Sequence, residues 1–155
     1  MKIAKTAGVI TILNPAPATK LPIGMLELCD FVTPNEIETE SLTGIKVETD
    51  ADAERAAASL HEMGVKTPVI TLGERGAFLY GHGLVPSFQV GQVVETTGAG
   101  DAFNGGLAAG LSGGHRPGEP RREPGLHRWQ LVLVKGTTQQ PTVVQLTVVQ
   151  PTVDP

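Results

Sequence analysis

An α/β fold with a mostly parallel central sheet is the class that this 155-residue sequence predicts. Three observations predict it. Two short apolar, β-branched runs, GVITIL at 8–13 and TPVITL at 67–72, have the composition of strands covered on both faces. Between them, DADAERAAASLHEMG at 50–64 repeats its apolar residues at helical spacing. Strand and helix patterns also alternate along the chain, as they do when parallel strands are joined by crossover helices.

The elements follow in order. KIAKTAG at 2–8 resembles the last turn of a helix entering a strand, so the chain is expected to begin within the fold. The first strand, GVITIL, is stopped by NPAPA at 14–18, where two prolines forbid both helix and central strand. Pro22 then opens a short predicted helix, PIGMLELC, and DFVT at 30–33 is a second short strand. Pro34 and Asn35 punctuate, and NEIETESLTG forms a helix that Gly44 stops. Thr49 and Asp50 open the longer helix, with Ala53, Ala56, Ala57, Leu60 and Met63 as its apolar set and Gly64 as its end. After TPVITL, GERG at 73–76 is a turn, AFLY a strand and GHG another turn. LVPSFQV pairs back antiparallel, held to a sheet edge by Pro86.

Composition narrows the function. The formal net charge is -4, which gives no general attraction to nucleic acid or an anionic membrane. Arg116, Arg121, Arg122 and Arg128 form only a weak basic cluster within this acidic total. The single cysteine, Cys29, excludes an intrachain disulfide framework and is expected to pack as an apolar residue. No apolar run is long enough for a transmembrane helix, and the first residues lack a signal-peptide pattern. His61 and His82 are expected at the surface and in a turn, and no His or Cys pair has zinc-ligand spacing.

The chemistry concentrates in ETTGAGDAFNGG at 95–106. An apolar helical pattern, Phe103, Leu107 and Leu111, starts at once behind it. A helix N-terminus carries unpaired N–H groups and a partial positive charge, and glycines there let an anion reach the backbone. Gly98, Ala99 and Gly100 would form such an anion hole, with Asp101 beside the anion. That combination suits phosphoryl transfer: amides stabilise the transferring group and a carboxylate takes the proton of the attacking hydroxyl. It is not a Walker A loop, which needs a Lys where Asp101 stands. The plainer alternative is a helix entry capped by Asp101.

Taken with FVTPNEIETESLTG, NPAPA and VITLGERGAF, the same stretch resembles the PfkB family of carbohydrate kinases, most of all its ribokinase branch, over roughly residues 1–112. The resemblance implies a ribokinase-like three-layer α/β fold with a mostly parallel sheet, incomplete here because the amino-terminal half and lid have no counterpart. It implies ATP, magnesium and a monovalent cation, potassium, with ribose first among small-sugar acceptors, a cytoplasmic location and a homodimeric intact relative. By resemblance Asp101 is the catalytic base that meets the sugar hydroxyl. Gly98, Ala99 and Gly100 supply the anion-hole amides, and Asn35 and Glu38 serve the magnesium region, Glu38 through water. Asn35, Thr71, Leu72, Gly73, Glu74, Arg75, Gly76, Gly100 and Asp101 line the nucleotide site. Glu95 and Thr97 match the monovalent-cation positions, although ribokinases commonly carry the shorter Asp where Glu95 stands. Without the resemblance, Asn35 is a helix cap, Glu38 a solvated first-turn acid, TLGERG a strand followed by a turn, and Glu95 a charge ending a strand.

Residues 1–114 are therefore expected to form a partial kinase domain. Residues 115–155 are expected to be a divergent, disordered tail, from the Pro- and Arg-rich HRPGEPRREPGLHRW to the repeated units PTVVQ, LTVVQ and PTVDP. The expected function is a fragment of an ATP-dependent ribokinase, inactive on its own. The alternatives are another sugar or nucleoside kinase of the family and a non-catalytic nucleotide-binding remnant.

Overall fold

A computed structural model of the chain describes residues 1–87 and 98–112. It divides into two compact units, Met1–Leu84 and Val85–Pro155. Five strands form one sheet in the order β1-β2-β3-β4-β5: β1 (Ile12–Leu13), β2 (Phe31–Val32), β3 (Thr67–Thr71), β4 (Gly76–Leu79) and β5 (Gly83–Pro86). The first three run parallel, with Leu13 opposite Val32 and Val32 opposite Pro68. β4 runs antiparallel to β3 and pairs Ile70 with Phe78. The antiparallel part thus begins across the GERG turn, whose Gly73–Arg75 form a single 3₁₀ turn.

The helices are α1 (Lys2–Thr6), α2 (Glu36–Thr43), α3 (Asp50–Glu62) and α4 (Ala99–Ser112). α2 and α3 begin and end where local chemistry dictates. Asn35 and Thr49 each close a capping box, with Glu38 and Asp52 respectively, and Gly44 ends α2 in the left-handed conformation at φ +73°. α3 lays Ala53, Ala56, Ala57 and Leu60, all fully buried, against one face of the sheet. There they meet Val32, Ile70, Leu72 and Phe78, which alternation places on that face. Phe31, Val69, Ala77 and Leu79 alternate onto the other face and are buried too. No described helix is long and apolar enough to cross a membrane.

Three expectations need correction. GVITIL is not a fully buried strand: only Ile12–Leu13 pair, while Val9 and Ile10 are 56% and 44% exposed. Among the described residues β1 is the first strand of the sheet, with β2 as its neighbour, and its pairing is short. PIGMLELC is not a helix but a 3₁₀ turn at Leu26–Leu28, because Gly24 takes a left-handed conformation (φ +75°) in the turn before it. Met63 is not in the core; it caps α3 and is 38% exposed, one step past the last buried position, Leu60. Residues 88–97 and 113–155, with the expected second half of the hairpin and the tail, lie outside the described residues.

Candidate functional site

In the first unit, the parallel strands β2 and β3 deliver the segments that follow them to the same end of the sheet. The two ends are tied together there. The Pro34 carbonyl accepts from the Thr71 amide at 2.8 Å and from the Thr71 hydroxyl at 3.3 Å. Pro34 leads directly into the cap of α2. The Asn35 side-chain oxygen accepts from the Glu38 amide at 2.8 Å, and Glu38 Oε2 accepts from the Asn35 amide at 2.9 Å. Glu38 is only 6% exposed, so it is not the solvated acid that its first-turn position allowed; Ile37, at 73%, is the residue turned to solvent. Asn35 is a helix cap and, in the same geometry, fixes a buried carboxylate beside the strand end.

The segment after β3 behaves in two ways. Thr71 and Leu72 are held in place, Leu72 nearly fully buried and its amide bonded to the Gly76 carbonyl at 2.8 Å. Gly73 and Glu74 are exposed at the crest, where Gly73 takes φ +55°. Arg75 turns toward the start of α3, donating to the Glu48 carbonyl and to Asp50 Oδ1, both at 3.3 Å. Those partners stand 27 and 25 residues away, and no local spacing announced them.

In the second unit, Gly98 holds φ +79°, and its carbonyl accepts the first helical bond of α4 from Ala102 at 3.0 Å. The amides of Ala99, Gly100 and Asp101 therefore sit in the first turn, where a helix offers no internal acceptor. Among the described residues, its own chain neighbours aside, no atom lies within 4 Å of the place a Gly98 side chain would take. Asp101 is exposed in that first turn, and Asn104 Nδ2 donates to the Gly100 carbonyl at 2.8 Å. Phe103, Gly106, Gly110 and Leu111 form the buried side of α4, with Leu107 half-buried. Glu95 and Thr97, the candidate monovalent-cation residues, lie outside the described residues.

Asp30 and Cys29, also in the first unit, have altered titration. Burial of Asp30 disfavours its charge, but hydrogen bonds from the Thr11 amide (2.9 Å) and hydroxyl (3.0 Å), with Lys66 and Lys5 nearby, outweigh that and hold its carboxyl below the ordinary value. Burial pushes the Cys29 thiol up; it is 1% exposed and packs in the core as expected. His61, exposed at the end of α3, stacks on Tyr80 with ring centres 4.4 Å apart and is engaged by the Val65 carbonyl at 2.9 Å.

The sequence pattern of the pfkB family carbohydrate kinases matches residues 1–119. The chain belongs to the pfkB family of carbohydrate kinases. Over 113 residues, 71% of the chain, it is 49% identical to the bifunctional ribokinase/ribose-5-phosphate isomerase A of Fructilactobacillus sanfranciscensis and 45% identical to the ribokinase of Haemophilus influenzae. It spans 21% and 37% of those two proteins. Among solved structures, Arabidopsis thaliana ribokinase complexed with ribose and ATP is similar with a TM-score of 0.69 and 35% identity, over 74% of this chain and 38% of that one. The architecture is the ribokinase-like α/β fold, with its parallel start and antiparallel continuation.

A pfkB-family kinase site implies a magnesium ion, and the donor set can be tested for it. Among the described residues no group of three or more His, Cys, Asp or Glu stands together. Near the end of β2 there is one buried carboxylate, Glu38, and one amide oxygen, Asn35, each already in a capping bond. That set is too small to cage a cation by itself. It fits a magnesium ion that keeps its waters and is shared with substrate phosphates, which is how this hard, reluctantly dehydrated cation is usually bound.

Proposed function

We propose that this chain is the nucleotide- and phosphoryl-handling portion of an ATP-dependent sugar kinase, with ribose as the acceptor. The observation that carries the reading is the mouth of α4: a left-handed glycine opens the helix, free first-turn amides follow, and one carboxylate, Asp101, stands among them in open solvent. Family membership supports the phosphotransferase reading, and the ribokinase relatives, one of them solved with ribose and ATP, support the substrates.

In this reading the Asp101 carboxylate takes the proton of the sugar hydroxyl while that oxygen attacks the γ-phosphorus of ATP. The bond from the γ-phosphorus to the β–γ bridging oxygen breaks and ADP leaves with the electron pair. The amides at Gly98, Ala99 and Gly100 stabilise the charge on the transferring phosphoryl group. Thr71 to Gly76 contact the nucleotide, and Asn35 and Glu38 orient the phosphate region. Magnesium, when bound, neutralises phosphate charge. Glu95 and Thr97 are proposed to hold a potassium ion on the strength of the motif alone.

Made alone, the 155 residues are proposed to bind MgATP weakly and not to turn over. They carry counterparts to 37% of the Haemophilus ribokinase. Positioning of the acceptor supplies about 7–11 kcal/mol of barrier lowering, against roughly 3–5 kcal/mol for a general base. The test is calorimetric titration of MgATP into the chain, with a ribose-dependent ADP-release assay beside it. Absence of MgATP binding at millimolar concentration contradicts the reading. Ribose-dependent turnover abolished by Asp101→Asn would place the whole sugar site within these residues and contradict the claim of incompleteness.

A further inference from the structure

We infer that Asn14 is a further nucleotide-binding residue, an amide that the end of β1 offers to the polyphosphate of ATP; this rests on the nucleotide-binding reading above. The placement follows from strand register. β1 runs parallel to β2 with Leu13 opposite Val32, so Asn14, the first residue past β1, stands beside Thr33, the first past β2. The Thr33 amide donates to the Leu13 carbonyl at 2.9 Å, and its hydroxyl reaches the same oxygen at 3.4 Å. One residue further, the Pro34 carbonyl takes both bonds from Thr71 at the end of β3. Three parallel strands therefore end in one row: Asn14, then Thr33 to Asn35, then Thr71. The carboxyl ends of parallel strands are where open α/β sheets hold their ligands.

Asn14 differs from the others in that row. Asn35 is engaged in its cap through its side-chain oxygen, and the Thr33 and Thr71 hydroxyls are bonded to carbonyls. The Asn14 side chain makes no hydrogen bond among the described residues, although the residue is half-buried. Its backbone is restrained by Pro15, which is buried and limits the residue before it to extended conformations. A restrained amide that has no protein partner and keeps its polar atoms open to solvent can take a ligand oxygen without breaking a protein bond. With two N–H donors and no charge it suits an anionic oxygen and does not compete with a cation. The nearby start of α2, with its partial positive charge, favours the same sign of ligand. Within the sequence, NPAPA marked only a strand stop; the missed signal is a polar residue placed directly after a parallel strand.

The test is calorimetric titration of MgATP into the full chain as wild type, Asn14→Ala, Asn14→Asp and Asn35→Ala, with the melting temperature of each ligand-free protein. Loss of one hydrogen bond to a charged oxygen predicts about tenfold weaker binding for Asn14→Ala. Asn14→Asp, nearly isosteric but negative, should bind more weakly still, and both variants should melt within a degree or so of wild type. Three results overturn the inference. Wild-type affinity in both Asn14 variants while Asn35→Ala is weakened removes Asn14 and leaves the nucleotide reading standing. Equal weakening in Asn14→Ala and Asn14→Asp with a marked fall in melting temperature assigns Asn14 to the fold. No MgATP binding by the wild type removes both.

Discussion

Thr39 lies fully buried on α2, next to Glu38, and its hydroxyl has no hydrogen-bond partner among the described residues. An orphaned buried hydroxyl costs about 1–3 kcal/mol. Thr39→Val removes it while keeping the volume and the β-branch, so it should stabilise the chain by about 1 kcal/mol in urea denaturation. A loss of stability would show that the hydroxyl has a partner after all. The two glycines at the mouth of α4 should part company. Gly98 sits at φ +79°, a conformation that costs an L-residue roughly 1–2 kcal/mol, so Gly98→Ala should destabilise even though its side chain would meet open space. Gly100 is already helical, and Gly100→Ala should leave stability unchanged or raise it by up to about 1 kcal/mol. The same methyl group should still impair phosphate approach, so folding and activity diverge at this one position. Asp30 sets an acid limit. Its folded pKa is lowered, so its contribution is present above the ordinary carboxylate value near 4 and is lost as pH falls through the folded value. The stability gap between wild type and Asp30→Asn should therefore be widest at neutral pH and shrink steadily below about pH 4.

At the scale of elements, the capping box of α2 serves two purposes that a single substitution can separate. Glu38→Gln keeps an acceptor for the Asn35 amide, since Gln also closes a capping box, so melting should change little. It removes the buried carboxylate, and MgATP affinity should fall if that charge serves the magnesium region. Asn35→Ala breaks both functions and should cost about 0.5–2 kcal/mol of stability as well. Helices α2 and α3 were legible in the sequence because their limits are local: Asn35 with Glu38, Gly44, Thr49 with Asp52, Gly64. β1 and the 22–29 segment were not. GVITIL has the composition of a central strand, but pairing depends on what lies beside it, and among the described residues β1 has one neighbour. In PIGMLELC the left-handed Gly24 outweighed a favourable start. The burial of Glu38, the bonds from Thr71 to Pro34 and the reach of Arg75 to Asp50 join residues far apart in the chain, and no periodicity encodes them.

For the molecule as a whole, the helix entry at 98–101 was legible because its glycines and carboxylate are contiguous, and α4 begins at Ala99 with Asp101 in its first turn; its phosphoryl-transfer role is the proposal. The central claim is that this segment performs the chemistry of a sugar kinase, with Asp101 as the base. The most direct measurement is made in a chimera: the 113 residues of the Haemophilus influenzae ribokinase that align with this chain are replaced by this chain's own, which are 45% identical. Steady-state ADP release is then followed with ribose as acceptor, with and without Asp101→Asn. The account predicts ribose-dependent turnover in the chimera and a fall in kcat of about 10²–10⁴ on that substitution, with little change in nucleotide affinity. A folded chimera whose kcat is unchanged by Asp101→Asn would contradict it.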